Sequence, residues 1–269
     1  MAEDKLIAVF VDYENLALGV RGGRPGKFDM QIVLNRLLEK GRIVFKRAYC
    51  DWSNYRPATR DLHTLGIELV DIPQTRASGK NSADIHMVVD AVDLCYAKQH
   101  IDTFALVTGD SDFSPLASKL KENDKQVIGC GVRESTSDLL IRNCDEFIYY
   151  DSLVDAVQKV QTTRQSASKK RPQRKQPAKK GAKESGSDDQ HDVALDKLMQ
   201  VVASLEDDYD PLWGSLVKQT LRRVDPGFRE RSYGFQTFAD LLEEAQSAGL
   251  ITLQYDDERG NYKVGLAAH

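Results

Sequence analysis

Leu6-Ile-Ala-Val-Phe-Val11 runs straight into Asp12, and Phe104-Ala-Leu-Val-Thr108 runs into Gly109-Asp-Ser-Asp112. Short apolar runs without polar alternation are what strands covered on both faces look like. Working outward from these two, strands are predicted over Lys5–Val11, Ile43–Tyr49, Ile67–Ile72, Thr103–Thr108, Gln126–Cys130 and Glu146–Tyr149. Helical periodicity fills the gaps, over Met30–Lys40, Arg56–Leu65, Ser82–Lys98, Ser114–Asn123 and Ser137–Asn143. Strand and helix alternating in this way predict an α/β fold built on a doubly wound parallel sheet.

At 269 residues the chain has room for a second, smaller core. Its net charge of -4 hides a segregation: residues 1–152 carry -4, residues 153–190 carry +6 and residues 191–269 carry -6. The middle stretch contains Lys169-Lys-Arg-Pro-Gln-Arg-Lys-Gln-Pro-Ala-Lys-Lys180, with no aromatic or β-branched residue. Such a stretch buries too little apolar surface to offset its ordering entropy, so 153–191 is expected to be a disordered basic linker. Beyond it, helices are predicted over Val193–Leu205, Leu212–Val224 and Thr237–Ala248, then a hairpin of Leu250–Tyr255 and Asn261–Gly265 around a polar turn. Three helices and a hairpin predict a winged helix over 192–269, after a first domain over 1–152.

Several function classes are excluded. The longest apolar run, near Ile7–Val11, is far short of the roughly 20 residues that span a bilayer. The acidic start Met-Ala-Glu-Asp-Lys5 lacks a signal-peptide core, so a cytoplasmic location is expected. Cys50, Cys95, Cys130 and Cys144 show no Cys-x-x-Cys spacing and read as reduced core thiols rather than zinc ligands. Neither Gly-x-Gly-x-x-Gly nor a Walker lysine motif occurs, which disfavours dehydrogenases and NTPases.

In an open α/β sheet, ligands bind beyond the carboxyl ends of the strands, where the strand order reverses. Asp12, Asp110 and Asp112 emerge at that edge, and Asp84 joins them from the first turn of the helix over 82–98. No lysine or arginine is adjacent to any of the four in sequence. Clustered carboxylates repel one another unless they hold protons or divalent cations. The expected site therefore binds Mg²⁺ or Mn²⁺ through Asp12, Asp84, Asp110 and Asp112 and cuts phosphodiesters. Asn15 is placed to position a water or a substrate hydroxyl, and Thr108 and Ser111 to donate to the scissile phosphate. Lys80, and Arg21, Arg24 and Lys27 in a glycine-rich loop over 19–27, are candidate phosphate contacts. Two structural readings stand beside this one. Asp84 also suits the positive end of its helix, and Asp110-Ser-Asp112 suits a turn that caps the helix at Ser114-Pro115.

Phe10-Val-Asp-Tyr-Glu-Asn-Leu16, Lys80-Asn-Ser-Ala-Asp-Ile85 with Val89-Asp-Ala91, and Thr108-Gly-Asp-Ser-Asp-Phe-Ser-Pro-Leu116 resemble the three motifs of the NYN domain, the LabA-like branch of the PIN-like nucleases. The resemblance covers about residues 5–150. It implies metal-dependent RNA cleavage by Asp12, Asn15, Asp84, Asp110 and Asp112. Trp213-Gly-Ser-Leu-Val-Lys-Gln-Thr-Leu-Arg-Arg223, Pro226-Gly-Phe228 and Tyr233-Gly-Phe-Gln-Thr-Phe238 are similar to an OST-HTH or LOTUS domain. That second resemblance implies a module that binds RNA or recruits a protein, with Lys218 and Arg222 on one helical face as phosphate contacts. The leading expectation is a ribonuclease acting on single-stranded RNA, with the second domain tethered to retain substrate. The alternative is a non-catalytic RNA-binding or adaptor protein that keeps the acidic site for metal-assisted binding.

Overall fold

Leu6–Asp12 (β1) is buried from Ile7 to its end, as a strand covered on both faces must be. The computed structural model describes residues 5–23, 27–73, 81–158, 185–206 and 208–267. These fall into two compact units, Met1–Val154 and Asp155–His269.

In the first unit β1 is followed by α1 (Tyr13–Gly23), α2 (Met30–Lys40), β2 (Arg42–Cys50), α3 (Arg56–Thr64) and β3 (Glu68–Asp71). The chain then forms α4 (Ser82–Ala97), β4 (Thr103–Val107), α5 (Ser114–Glu122), β5 (Gln126–Gly131), α6 (Asp138–Asn143) and β6 (Glu146–Tyr149). A seventh helix, α7, is described over 150–158. The six strands pair in parallel in the order β3-β2-β1-β4-β5-β6, so the winding reverses between β1 and β4. Because successive strand residues point to opposite faces, Ile7, Val9 and Val11 enter a core with α1, α2 and α3. Ala8 and Phe10 enter a second core with Met87, Ala91 and Cys95 of α4 and Leu116 and Leu120 of α5.

α1 departs from expectation, because the segment from Gly19 to Gly23, read as part of a loop, is helical. Leu16, Ala17 and Val20 give α1 a buried stripe, and Gly19 serves close packing rather than mobility. A Cβ there would sit 2.4 Å from Ser135 Oγ and 3.2 Å from Val132. Residues 24–26 and 74–80, which include Arg24 and Lys80, lie outside the described residues.

The second unit begins its first described helix, α8, at Ser185 and carries it to Leu205, eight residues ahead of the expected Val193. The expected linker is thus helical at both ends, over 153–158 and from 185, and its middle, 159–184, lies outside the described residues. After α8 come α9 (Gly214–Val224), α10 (Phe238–Ser247) and an antiparallel hairpin of β7 (Ile251–Asp256) and β8 (Asn261–Leu266). Trp213, just before α9, makes a single antiparallel bridge to Lys263. α10 starts in a reciprocal capping box, Thr237 accepting from Asp240 N–H while the Asp240 carboxylate accepts from Thr237 N–H. Leu198, Val202, Val217, Leu221, Leu241 and Val264 close the core.

Candidate active site

At the end of β1, beside the point where the sheet reverses, Asp12 is only 7% exposed. Its Oδ1 accepts from the backbone N–H of Asn15 at 3.3 Å, and its Oδ2 accepts from Thr108 Oγ1 at 3.0 Å. Burial pushes its carboxyl up to about 7; those two hydrogen bonds oppose the rise, and the nearby charges of Asp84 and Asp110 add to it. Asp84, in the first turn of α4, is pushed up to about 6 by burial and then by Asp110, Asp112 and Glu14. Among the described residues, the charges acting on Asp84 are all negative.

The structure changes several roles. Thr108 was expected to donate to a phosphate, but it is fully buried. Its hydroxyl donates to Asp12 and accepts from Asp110 N–H at 3.2 Å, so Thr108 ties the two carboxylate-bearing segments together. Asn15 was expected to position a water or substrate hydroxyl; its Oδ1 instead accepts from the backbone N–H of Gly109 at 2.9 Å. It fastens the start of α1 to the loop after β4. Gly109 is needed in that loop, since a Cβ would lie 2.8 Å from the Ser135 carbonyl. Asp110 caps the short turn Ser111–Phe113, accepting from Asp112 N–H at 3.0 Å, with Ser111 Oγ at 3.5 Å. The expected cap on the helix at Ser114 is not made: Asp110 caps the turn before it, and α5 starts after Phe113 without a side-chain cap. Asp112 is exposed and accepts from Asn81 Nδ2 at 3.5 Å.

Glu14 was quoted within its motif but was not among the expected site residues. Its charge acts on Asp84. The signal was its place between Asp12 and Asn15 in the first turn of α1.

Among the described residues, no group of three or more His, Cys, Asp or Glu side chains is gathered closely enough to hold a metal ion. The expected four-carboxylate ligand set is therefore not preformed: the carboxylates share one field without closing into a cage. The donor chemistry nonetheless fits a hard divalent cation. Every candidate ligand is a carboxylate oxygen, and Mg²⁺ takes one or two of these and completes its shell with waters and phosphate.

The cations chosen from the sequence are mostly engaged. Arg21 lies over the Tyr55 ring at 5.7 Å, and Lys27 pairs with Asp61 at 2.5 Å. In the second unit Lys218 and Arg222 share Glu230, at 3.6 and 3.1 Å.

A six-stranded parallel sheet with carboxylates gathered at its reversal point defines a protein of the PIN-like nuclease class. The model of the NYN domain matches residues 6–153, more than half of the chain, and the chain belongs to that family. An uncharacterized protein of Methanocaldococcus jannaschii is 30% identical over 142 residues, covering 53% of this chain and 54% of that protein. The chain thus spans about half the length of that relative. The crystal structure of a protein of unknown function from Vibrio parahaemolyticus matches with a TM-score of 0.51 at 26% identity, covering 57% of this chain and 97% of that one. Among the described residues no helix is long and apolar enough to cross a membrane.

Proposed function

We propose that this chain is a Mg²⁺- or Mn²⁺-dependent ribonuclease acting on single-stranded RNA. The observation that carries the reading is the acidic field at the reversal point, where among the described residues Asp12 and Asp84 are both pushed upward by burial and by other carboxylates. Keeping buried like charges together is costly unless something positive compensates them. Asp12, Asp84, Asp110 and Asp112 are the residues that would hold the cation, which when bound polarises a phosphoryl oxygen and offsets developing charge. The chain's own part is positioning. Thr108 and Asn15 lock the end of β1 to the loop after β4, so that Asp12 and Asp110 keep a constant relation.

The second unit is proposed to hold RNA or a protein partner. Three helices, a hairpin and the bridge from Trp213 to β8 support a winged-helix reading of the LOTUS type. Lys218 and Arg222 would reach phosphate only by exchanging Glu230 for it.

The test is incubation of the purified full-length protein with labelled single-stranded RNA in Mn²⁺, Mg²⁺ or EDTA, with Asp110→Asn as control. Metal-dependent cutting that disappears in the variant is expected. Binding without cutting in either metal would replace this reading with that of a non-catalytic RNA-binding or adaptor protein.

A further inference from the structure

The first unit holds a cavity whose walls include none of Asp12, Asp84, Asp110 and Asp112. Two adjoining hollows of about 460 and 200 Å³ share Tyr13, Lys27, Phe28 and Ala58 among their walls. Tyr13 is the residue after Asp12, so the cavity and the crevice are joined through one peptide bond. Its ring meets Phe28 edge-on at 6.0 Å and Tyr55 edge-on at 5.4 Å. Tyr55 is covered in turn by the Arg21 guanidinium at 5.7 Å.

The composition of the walls says what fits. Among the described lining residues Arg21 and Lys27 are balanced by Asp29 and Asp61, so these walls carry no net charge to attract phosphate. Tyr13 is 97% withdrawn from solvent, at 3% exposure, yet among the described residues no hydrogen bond reaches its hydroxyl or that of Tyr55. Asn54 adds an amide at the rim of the smaller hollow. Aromatic walls with a few unpaired donors and acceptors suit a neutral heteroaromatic ring. The larger hollow by itself lies in the range of small-molecule sites, and the smaller adjoins it.

We propose that this cavity seats the nucleobase of the nucleotide flanking the scissile phosphate, with Arg21, Tyr55 and Asn54 as its specificity-determining contacts. The proposal rests on the ribonuclease reading and deepens it: phosphate goes to the carboxylate crevice, and the base goes to the neutral pocket behind Tyr13.

The test compares a short single-stranded RNA with the same strand made abasic at the nucleotide beside the cut, using the full-length protein. Phosphates are identical in the two, so only base recognition differs. The wild-type protein is expected to prefer the base-containing strand by roughly tenfold, the scale of stacking one base on aromatic groups. The preference should reside in KM. Arg21→Ala and Asn54→Ala alter exposed side chains and are expected to erase most of it. Equal KM for the two strands in the wild type, or full retention of the preference in both variants, overturns the pocket while leaving Asp110-dependent cutting in place. If the wild type cuts neither strand in Mn²⁺ or Mg²⁺, the ribonuclease reading fails instead. The affinities of the two strands measured in EDTA then decide the pocket, equal affinities overturning it. Should a variant fail to fold, the wild-type comparison stands as the deciding measurement.

Discussion

Asp84 and Asp90 sit on the same helix, α4, six residues apart, and their surroundings are opposite. Around Asp84 the acting charges are Asp110, Asp112 and Glu14, all negative. Asp90 receives Arg47 Nη1 at 2.7 Å and the Tyr49 hydroxyl at 2.7 Å, and Arg47 also pairs with Glu68. Six residues are one and two-thirds helical turns, so the two carboxylates leave α4 in different directions. One joins a group that repels itself, and the other is paired with a cation over the sheet. A carboxylate in a family-like motif is thus no guide to its role by residue type alone. Its neighbours' charges decide whether it stabilises the fold or holds something for function.

This contrast can be broken most forcefully at Asp110. Asp110→Asn is expected to lower metal-dependent RNA cleavage by about 100-fold or more, given the several kcal/mol a bound cation supplies to phosphoryl transfer. Asp90→Asn should leave most cleavage intact, and loss of cleavage on the same scale in both variants would erase the distinction.

Stability should move the other way. A carboxyl raised in the folded state, from 3.8 to about 7 for Asp12 and to about 6 for Asp84, favours folding below pH 3.8. That contribution is lost as pH rises through the folded values. In EDTA, thermal unfolding should therefore occur at lower temperature as pH is raised from about 4 to about 7, with Mg²⁺ or Mn²⁺ restoring stability at neutral pH. Asp12→Asn removes the charge, and at pH 7 in EDTA it is expected to stabilise by on the order of 2 kcal/mol, read by denaturant unfolding. Asp90→Asn should instead destabilise by about 1–2 kcal/mol, because Arg47 and Tyr49 lose a charged acceptor. Equal signs for the two substitutions would contradict the comparison.

A smaller effect is expected at the brace. Asn15→Ala leaves Gly109 N–H without its 2.9 Å acceptor and should cost about 1–2 kcal/mol of stability. Cleavage should fall less than in Asp110→Asn. Smallest of all, Arg222→Ala removes one exposed partner of Glu230 while Lys218 remains. Its effect on unfolding should stay within about 0.5 kcal/mol.

Much of the first unit was legible because parallel strands covered on both faces leave uninterrupted apolar runs. β1, β4, β5 and β6 appear within a residue of their predicted ends, and α2 spans the predicted Met30–Lys40. α1 was missed altogether, and its second half was read as a loop because glycine is a loop signal. Here the small residue is demanded by the approach of the turn after β5, a contact between segments more than 100 residues apart. The start of α8 was missed because its first residues, Ser185-Gly-Ser-Asp-Asp-Gln190, carry no apolar periodicity. In the candidate site, Asp12, Asp84, Asp110 and Asp112 were singled out by their places at strand ends and a helix start. Thr108 and Asn15 were also singled out, but for contacts with substrate. Their bonds run to Asp12, Asp110 and Gly109, groups whose distance along the chain says nothing of hydrogen-bond geometry.

The sequence by itself determined the alternation of strand and helix, the edge at which the aspartates emerge and the family to which the chain belongs. Those follow from local periodicity and from motifs a few residues long. Only the tertiary structure decided which charges face one another: Asp84 toward Asp110, Asp112 and Glu14, Asp90 toward Arg47, and Lys218 and Arg222 toward Glu230. It alone opened the neutral aromatic cavity behind Tyr13. Coulomb energy and hydrogen bonding depend on distance and burial in space. The order of residues along a chain sets neither until strand pairing and helix packing bring distant segments together.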